Sequence, residues 1–260
     1  MFKTTLLSAL VALGLGSASM VSASESSDVH DVAFSFEGVF GKFDQDQLQR
    51  GLQVYTEVCA SCHGLNLVAY RNLGDHGGPA MEVDQVKAFA AQFETFDAEL
   101  DDYRPSIPTD YFGDSGFDGA PDLSLMAKAR KGFTGPYGLA FNPLFKGIGG
   151  PEYIVAILNS YTGEEKEQAG TILYENTAFP GGWISMPPPL FDEHVEFEPA
   201  HENDLDSLAE DVSAFLMWTA EPKLMDRKKA GLVAVLFLTF LAIMLYLTNK
   251  KIWANAKRKD

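Results

Sequence analysis

Cys59-Ala60-Ser61-Cys62-His63 is the stretch of this chain whose residue types and spacing most directly announce a chemistry. Two thiols two residues apart, followed at once by an imidazole, form the attachment signature of a c-type haem. One short turn lets both sulfurs reach the two vinyl groups of one porphyrin, and His63 can then bring its ring under the iron as proximal ligand. Cys-x-x-Cys also serves zinc and redox dithiols. Zinc needs two further Cys or His ligands at typical spacing, and a dithiol does not require the following His. Cys59 and Cys62 are the only cysteines among 260 residues. If both carry haem, no disulfide is possible, and the fold relies on its core and its cofactor.

The second axial position of such an iron falls to Met or His. The candidates outside the termini are Met81, Met126, Met186, Met217 and Met225, with His30, His76, His194 and His201. Met186 is favoured because Pro187-Pro188-Pro189 follow it. Their fixed φ angles hold the loop with little entropic loss. Met217 and Met126 fall on helical patterns and read as packing; His194 and His201 fall in an acidic stretch that reads as mobile. A thioether favours reduced iron and raises its potential. With both axial sites taken by protein, the chain is expected to pass electrons and not to bind oxygen.

These residues need elements to position them. The spacing predicts a helix from Asp44 or Gln45 to about Val58, with an Asp as N-cap and Leu48, Leu52 and Tyr55 on one stripe. It delivers the chain into Cys59. An amphipathic helix over 205–219 ends at Glu221-Pro222, and Gly51 and Tyr55 are expected to face its Phe215 or Trp218. Further helices are predicted over 83–96, over 122–131 behind a Pro121-Asp122 cap, and over 152–161. Residues 94–118, 132–151 and the crossing to Met186 read as loop.

Residues 1–23 read as a secretory signal, with Lys3, an apolar run over 6–15 too short to span a bilayer, and Val21-Ser22-Ala23 for cleavage. Residues 230–248 carry no charge and are long enough to span, with Arg227, Lys228 and Lys229 before them and Lys250 and Lys251 after. The expected organisation is a haem domain over 24–222, a basic link over 223–229, a membrane helix over 230–248 and a basic tail over 249–260. Export of the N-terminus places the domain outside and the tail in the cytoplasm, in accord with the positive-inside rule. Charge follows the same division. Residues 24–222 hold 34 Asp+Glu against 10 Lys+Arg, whereas 223–260 hold 9 Lys+Arg against 2 Asp+Glu. Nucleic acid is a poor partner for so acidic a body; a basic soluble protein is a good one.

At this point the residues resemble the cytochrome c1 family, the haem subunit of cytochrome bc1 complexes (ubiquinol–cytochrome c oxidoreductases), in its alphaproteobacterial form. The resemblance is carried by Phe34-Ser35-Phe36-Glu37-Gly38, the Cys59–His63 motif, Val68-Ala69-Tyr70-Arg71, Pro121-Asp122-Leu123-Ser124 and Ala129-Arg130. Gly149-Gly150-Pro151-Glu152-Tyr153, Met186-Pro187-Pro188-Pro189 and Ala220-Glu221-Pro222-Lys223 extend it. It implies a mainly α fold: a cytochrome c-type haem domain enlarged by long loops, plus one C-terminal transmembrane helix. It implies one covalently bound haem c, with Cys59 and Cys62 as thioether links and His63 and Met186 as axial ligands to iron. Arg130 corresponds to the family's partner for a haem propionate, the Pro121 carbonyl to the holder of the His63 ring, and Tyr153 to a residue near the haem. The implied role is electron transfer, with no catalytic acid, base or nucleophile. Electrons would come from a Rieske iron–sulfur protein and pass to a soluble or tethered cytochrome c. The setting would be a dimeric bacterial inner-membrane complex that includes a cytochrome b subunit, with the haem domain in the periplasm. The 162–179 loop lacks the cysteine pair of several bacterial relatives and resembles the mitochondrial arrangement. Two other readings stand beside this one. The first is a tethered c-type cytochrome serving another respiratory oxidase or reductase. The second is a haem-based gas sensor, which Met186 argues against.

Overall fold

Asp44 starts the first helix as its residue type predicts. Its Oδ1 accepts from the amides of Asp46 at 3.0 Å and Gln47 at 3.3 Å, satisfying two of the donors a helix start leaves open. The helix, α1, spans Gln45–Glu57 and runs through Val58 into a 3₁₀ turn at Cys59–Ser61. The computed structural model describes residues 29–131, 145–147 and 149–254. The signal over 1–23, most of the 132–151 loop and the end of the basic tail lie outside them.

Among the described residues a second 3₁₀ helix spans Tyr70–Gly74, and the further α-helices are α2 (Val83–Ala90), α3 (Met126–Ala129), α4 (Gly150–Asn159), α5 (Leu205–Ala220) and α6 (Leu224–Ala254). Strands β1 (Glu94–Asp97) and β2 (Asp102–Pro105) form an antiparallel hairpin. Strands β3 (Tyr161–Gln168), β4 (Thr171–Asn176) and β5 (Trp183–Ile184) form a three-stranded antiparallel sheet in that order. The fold is mainly α, with long loops and one C-terminal helix fit to cross a membrane, as expected.

The core is built on the crossing of α1 and α5. A Cβ on Gly51 would stand 2.1 Å from the Asp211 carbonyl oxygen and 2.7 Å from Phe215 Cβ, so only glycine allows the two backbones this close. Beside it the Tyr55 and Phe215 rings lie 5.8 Å apart, and Phe215 lies 5.6 Å from Trp218. The expected crossing is therefore present. Gly51→Ala should cost about 2–3 kcal/mol, because the obstacle is backbone and not a side chain that can rotate away. A denaturant midpoint on the haem-loaded full chain, unchanged within error, would contradict this.

Five sequence expectations change. The helix over 83–96 stops at Ala90, because the chain turns there: the Phe93 amide donates to Ala90 O, and Phe93 O accepts from Ser106 N. That turn drops Phe89 and Phe93 into an aromatic nest with Tyr70 and Phe112. The 94–118 loop contains the β1–β2 hairpin, and the 162–179 loop is mostly the β3–β4 hairpin. The helix over 122–131 shrinks to α3, because Asp122 does not cap it. Its Oδ2 accepts from Asn66 N and its Oδ1 from Ser124 N, each at 2.8 Å. The acidic segment carrying His194 and His201 is anchored: Val195 and Phe197 are buried, and His194 stacks on Phe191 at 3.9 Å.

The foot of α6 is tied to the body, and residues 224–229, with Arg227, Lys228 and Lys229, form its first turns. Lys228 Nζ donates to Phe36 O at 2.5 Å and Gly41 O at 3.2 Å, and Lys223 pairs with Asp75 at 3.3 Å. Beyond them α6 has a mean hydropathy of 2.6 over its most apolar window, with none of it buried in protein. At about 1.5 Å per residue it exceeds the ~30 Å hydrocarbon core of a bilayer. The N-terminal arm, with Phe34 and Phe36 stacked at 4.9 Å, brings Asp31 and Glu37 against Glu152 in the first turn of α4. Burial pushes the Glu152 carboxyl up to about 8 and raises that of Glu37 above the usual carboxylate range.

Candidate functional site

The α1 helix ends in a turn that gathers the chemistry-bearing residues. The amides of Cys62 and His63 both donate to Cys59 O, at 3.1 and 2.9 Å, and Ser61 Oγ donates to Val58 O at 3.0 Å. Cys59 is half-buried against the main core and Cys62 is exposed; both thiols are free. Burial pushes the Cys59 thiol up to about 12, so at neutral pH it is an unionised thiol.

His63 Nδ1 lies 2.7 Å from the Pro121 carbonyl oxygen. A carbonyl only accepts, so Nδ1 carries the proton and Nε2 keeps the lone pair that can bind a metal. The Pro121 segment is itself fixed to the residues after His63. Leu123 N donates to Gly64 O at 2.9 Å and Leu67 N to Ser124 Oγ at 3.2 Å, beside the Asp122–Asn66 bond already described. The two segments form one zipped platform. Leu67 and Leu125 sit on it as exposed apolar side chains.

Met186 follows β5 and is half-buried in a second apolar cluster with Ala156, Ile157 and Ala178, to which Tyr153 and Ile184 also belong. Two of the expected site residues, Tyr153 and Met186, are thus brought together, while Cys59, Cys62, His63 and Pro121 form the other group. The link between them is α4, whose Val155 and Leu158 face the main core while Ala156 and Ile157 face the second cluster. Arg130 is exposed just past α3, and Gly150 holds α4 there, since a Cβ on it would stand 1.7 Å from Ala127 O. The Arg130 charge works against the burial that raises the Tyr153 phenol, placing the two side chains near each other.

Two further residues serve the site. Tyr55 Oη donates to His63 O at 2.9 Å, and Tyr161 Oη donates to Met186 O at 3.1 Å. Each candidate axial residue therefore has its backbone held by a tyrosine hydroxyl, and burial raises both phenols. Tyr55 was legible only as part of an apolar stripe. Tyr161 gave no signal, because its partner lies 25 positions away across a sheet.

The donor set fits a covalently attached c-type haem: two free thiols on one turn, an imidazole with its proton fixed away from Nε2, a thioether on a proline-stiffened loop, and exposed apolar side chains on the platform. A zinc site is not built here. The described residues place no further Cys or His beside Cys59 and Cys62, and the one cluster of potential metal-binding groups lies elsewhere.

Comparison with known proteins agrees. The Cytochrome C1 family model matches residues 34–256. Cytochrome c1 of Cereibacter sphaeroides is 50% identical over 282 residues, covering 100% of this chain and 98% of that one. Cytochrome b/c1 of Bradyrhizobium diazoefficiens is 41% identical over 95% of this chain and 39% of its own length. The mitochondrial cytochrome b-c1 complex catalytic subunit of Candida albicans is 34% identical over 89% of this chain and 80% of that one.

Proposed function

The chain belongs to the cytochrome c1 family, and from that premise we propose that it is the electron relay between an iron–sulfur protein and a basic c-type cytochrome in a quinol-oxidising bc1 complex. A family match that runs unbroken from the N-terminal arm through the Cys59–His63 turn into α6 carries this reading. One haem c, covalently bound, supplies reversible one-electron chemistry. Cys59 and Cys62 hold it. His63 Nε2 and the Met186 thioether would ligate its iron, Arg130 would meet a propionate, and Tyr153 would lie alongside. Through the Pro121 carbonyl the chain orients the imidazole and strengthens it as a donor. Through Tyr55 and Tyr161 it fixes the backbone on both sides, so little rearrangement accompanies a change of oxidation state.

The fused name of the Bradyrhizobium relative, cytochrome b/c1, supports a cytochrome b subunit as the neighbour of α6. We assign the 24–222 domain to the periplasm, the span to 230–248 and the tail, 249–260, to the cytoplasm, within a dimeric inner-membrane complex. Purification through a tag on this chain should bring down a di-haem b cytochrome and an iron–sulfur protein. Recovery with oxidase subunits instead would favour a tethered carrier.

The acceptor is read from charge. The 24–222 region carries a net charge of −24, and such a field raises the encounter rate with a basic protein by ~10-fold or more. Stopped-flow transfer to a basic cytochrome c should slow by roughly tenfold between low and physiological ionic strength. A flat response would assign the acidity to solubility alone.

A further inference from the structure

We propose that Val39 and Phe40 form an apolar wedge that enters the lipid surface beside α6, held at that depth by Lys228. The inference rests on α6 crossing a bilayer, and it gives the membrane a second point of contact on the haem domain.

The N-terminal arm makes a closed loop before α1. Lys42 N donates to Ser35 O at 2.9 Å, and Gly38 takes a left-handed φ of 65° that favours glycine. A Cβ on Gly41 would stand 1.8 Å from Glu37 O, so the chain there is pressed against its own backbone. Val39 and Phe40 are the tip of this loop. Phe34 and Phe36 turn into the core at 6% exposure, whereas Val39 is 43% and Phe40 79% exposed. Phe40 is barer than any other large apolar side chain among the described residues, those of α6 included. Single exposed apolar side chains are ordinary on a protein surface. The place of this one is not.

The body lets go of α6 at Lys228. Leu224 is buried and Met225 half-buried, Lys228 is the last partly buried residue, and 229–254 are all exposed. Lys228 Nζ donates to Phe36 O and Gly41 O, which bracket the loop tip in sequence. The uncharged run begins at Ala230, two residues on and ~3 Å further along the helix axis. The headgroup layer that flanks a hydrocarbon core is about 5–7 Å deep on each face. The Lys228 side chain leans back toward the helix start, and a Phe ring on the loop it grips still reaches that layer.

The loop and the foot of α6 contribute Lys42, Arg227, Lys228 and Lys229 against Asp44, Asp46 and Asp226. So even a balance leaves the attachment to apolar area, with lysine heads turned up to water and phosphate. Continuity with the lipid-facing surface of α6 favours lipid over protein as the occupant. One helix alone lets a domain pivot on it. A wedge beside the helix removes that freedom and fixes how the Cys59–His63 turn is presented to partners.

The test uses the full-length, haem-loaded protein, one chain per phosphatidylcholine bilayer disc. With Cys59 and Cys62 committed to haem, Val39→Cys, Phe40→Cys, Ile172→Cys and Leu238→Cys each offer one thiol for a nitroxide label. Label access to oxygen, which concentrates in lipid, is compared with access to a water-soluble nickel complex. Position 172, near the tip of the β3–β4 hairpin, is the aqueous control. Position 238, within α6, checks the span itself; nickel access there overturns the premise, separately from the wedge. Labels at 39 and 40 should favour oxygen several-fold over the label at 172, at a depth of about 5–10 Å from the headgroup surface. Adding Lys228→Met to Phe40→Cys should move the label toward nickel several-fold; unchanged access overturns the part given to Lys228. Access at both 39 and 40 equal to that at 172 overturns the wedge. A label at 40 shielded from both reagents puts a second copy of the chain there and overturns the assignment to lipid.

Discussion

Replacing Met186 with Leu should lower the reduction potential of the haem-loaded protein by on the order of a hundred millivolts or more, since axial ligation spans about 0.8 V across haem proteins. The visible spectrum should change with it from low-spin to high-spin. The reason is chemical: a thioether stabilises the reduced state, and Leu, of nearly the same volume, offers no lone pair. Packing is little disturbed, because Met-to-Leu exchange is among the mildest core changes. Met126→Leu and Met217→Leu serve as controls, since both side chains only pack against the main core. Tyr161→Phe should give a smaller fall with the low-spin spectrum retained, because it frees the Met186 carbonyl without removing the sulfur. A Met186→Leu protein that stays low-spin at an unchanged potential would exclude Met186 as the ligand.

The residues assigned to the cofactor are legible because their chemistry is local: a five-residue motif and a methionine before three prolines. The elements carrying strong 3.6-residue periodicity were legible for a similar reason. Helix α1 starts one residue after Asp44 as its cap demands, and α5 ends at Ala220 just before Glu221-Pro222. What stayed hidden depends on pairing at a distance. Strand β3 reads Tyr-Thr-Gly-Glu-Glu-Lys-Glu-Gln with almost every residue exposed, so no apolar alternation marks it. Its hairpin is set by Ala169 and Gly170, both at positive φ, and by Lys166 lying 3.9 Å over the Trp183 ring. Asp122 shows how a correct local rule yields to tertiary structure. It has the right type and place for an N-cap, yet its Oδ1 closes a local turn with Ser124 N and its Oδ2 zips the platform that holds His63 through Asn66 N.

The α1–α5 crossing supplies the second large effect. Arg50 Nε donates to Asp211 Oδ2 at 2.7 Å and Nη2 to Oδ1 at 3.1 Å, a two-pronged pair whose carboxylate side chain is only 4% exposed. Arg50→Ala leaves that carboxylate buried without its partner, and should destabilise the protein by about 3–5 kcal/mol. Asp211→Ala should cost less, because the Arg50 side chain is 21% exposed and can turn its charge to water. Arg50→Met with Asp211→Leu together should recover most of the loss, as apolar pairs of similar volume often equal a buried ion pair. This non-additivity separates the cost of an orphaned charge from simple loss of contact area. The cost should also reach the haem site, since Arg50 stands one residue before Gly51 and five before Tyr55, whose hydroxyl holds His63. Unfolding of the full chain in denaturant, followed by both the haem Soret band and far-UV circular dichroism, reads the two effects at once. If Asp211→Ala costs as much as Arg50→Ala, and the double variant costs their sum, the crossing is held by packing at Gly51 and not by the ion pair.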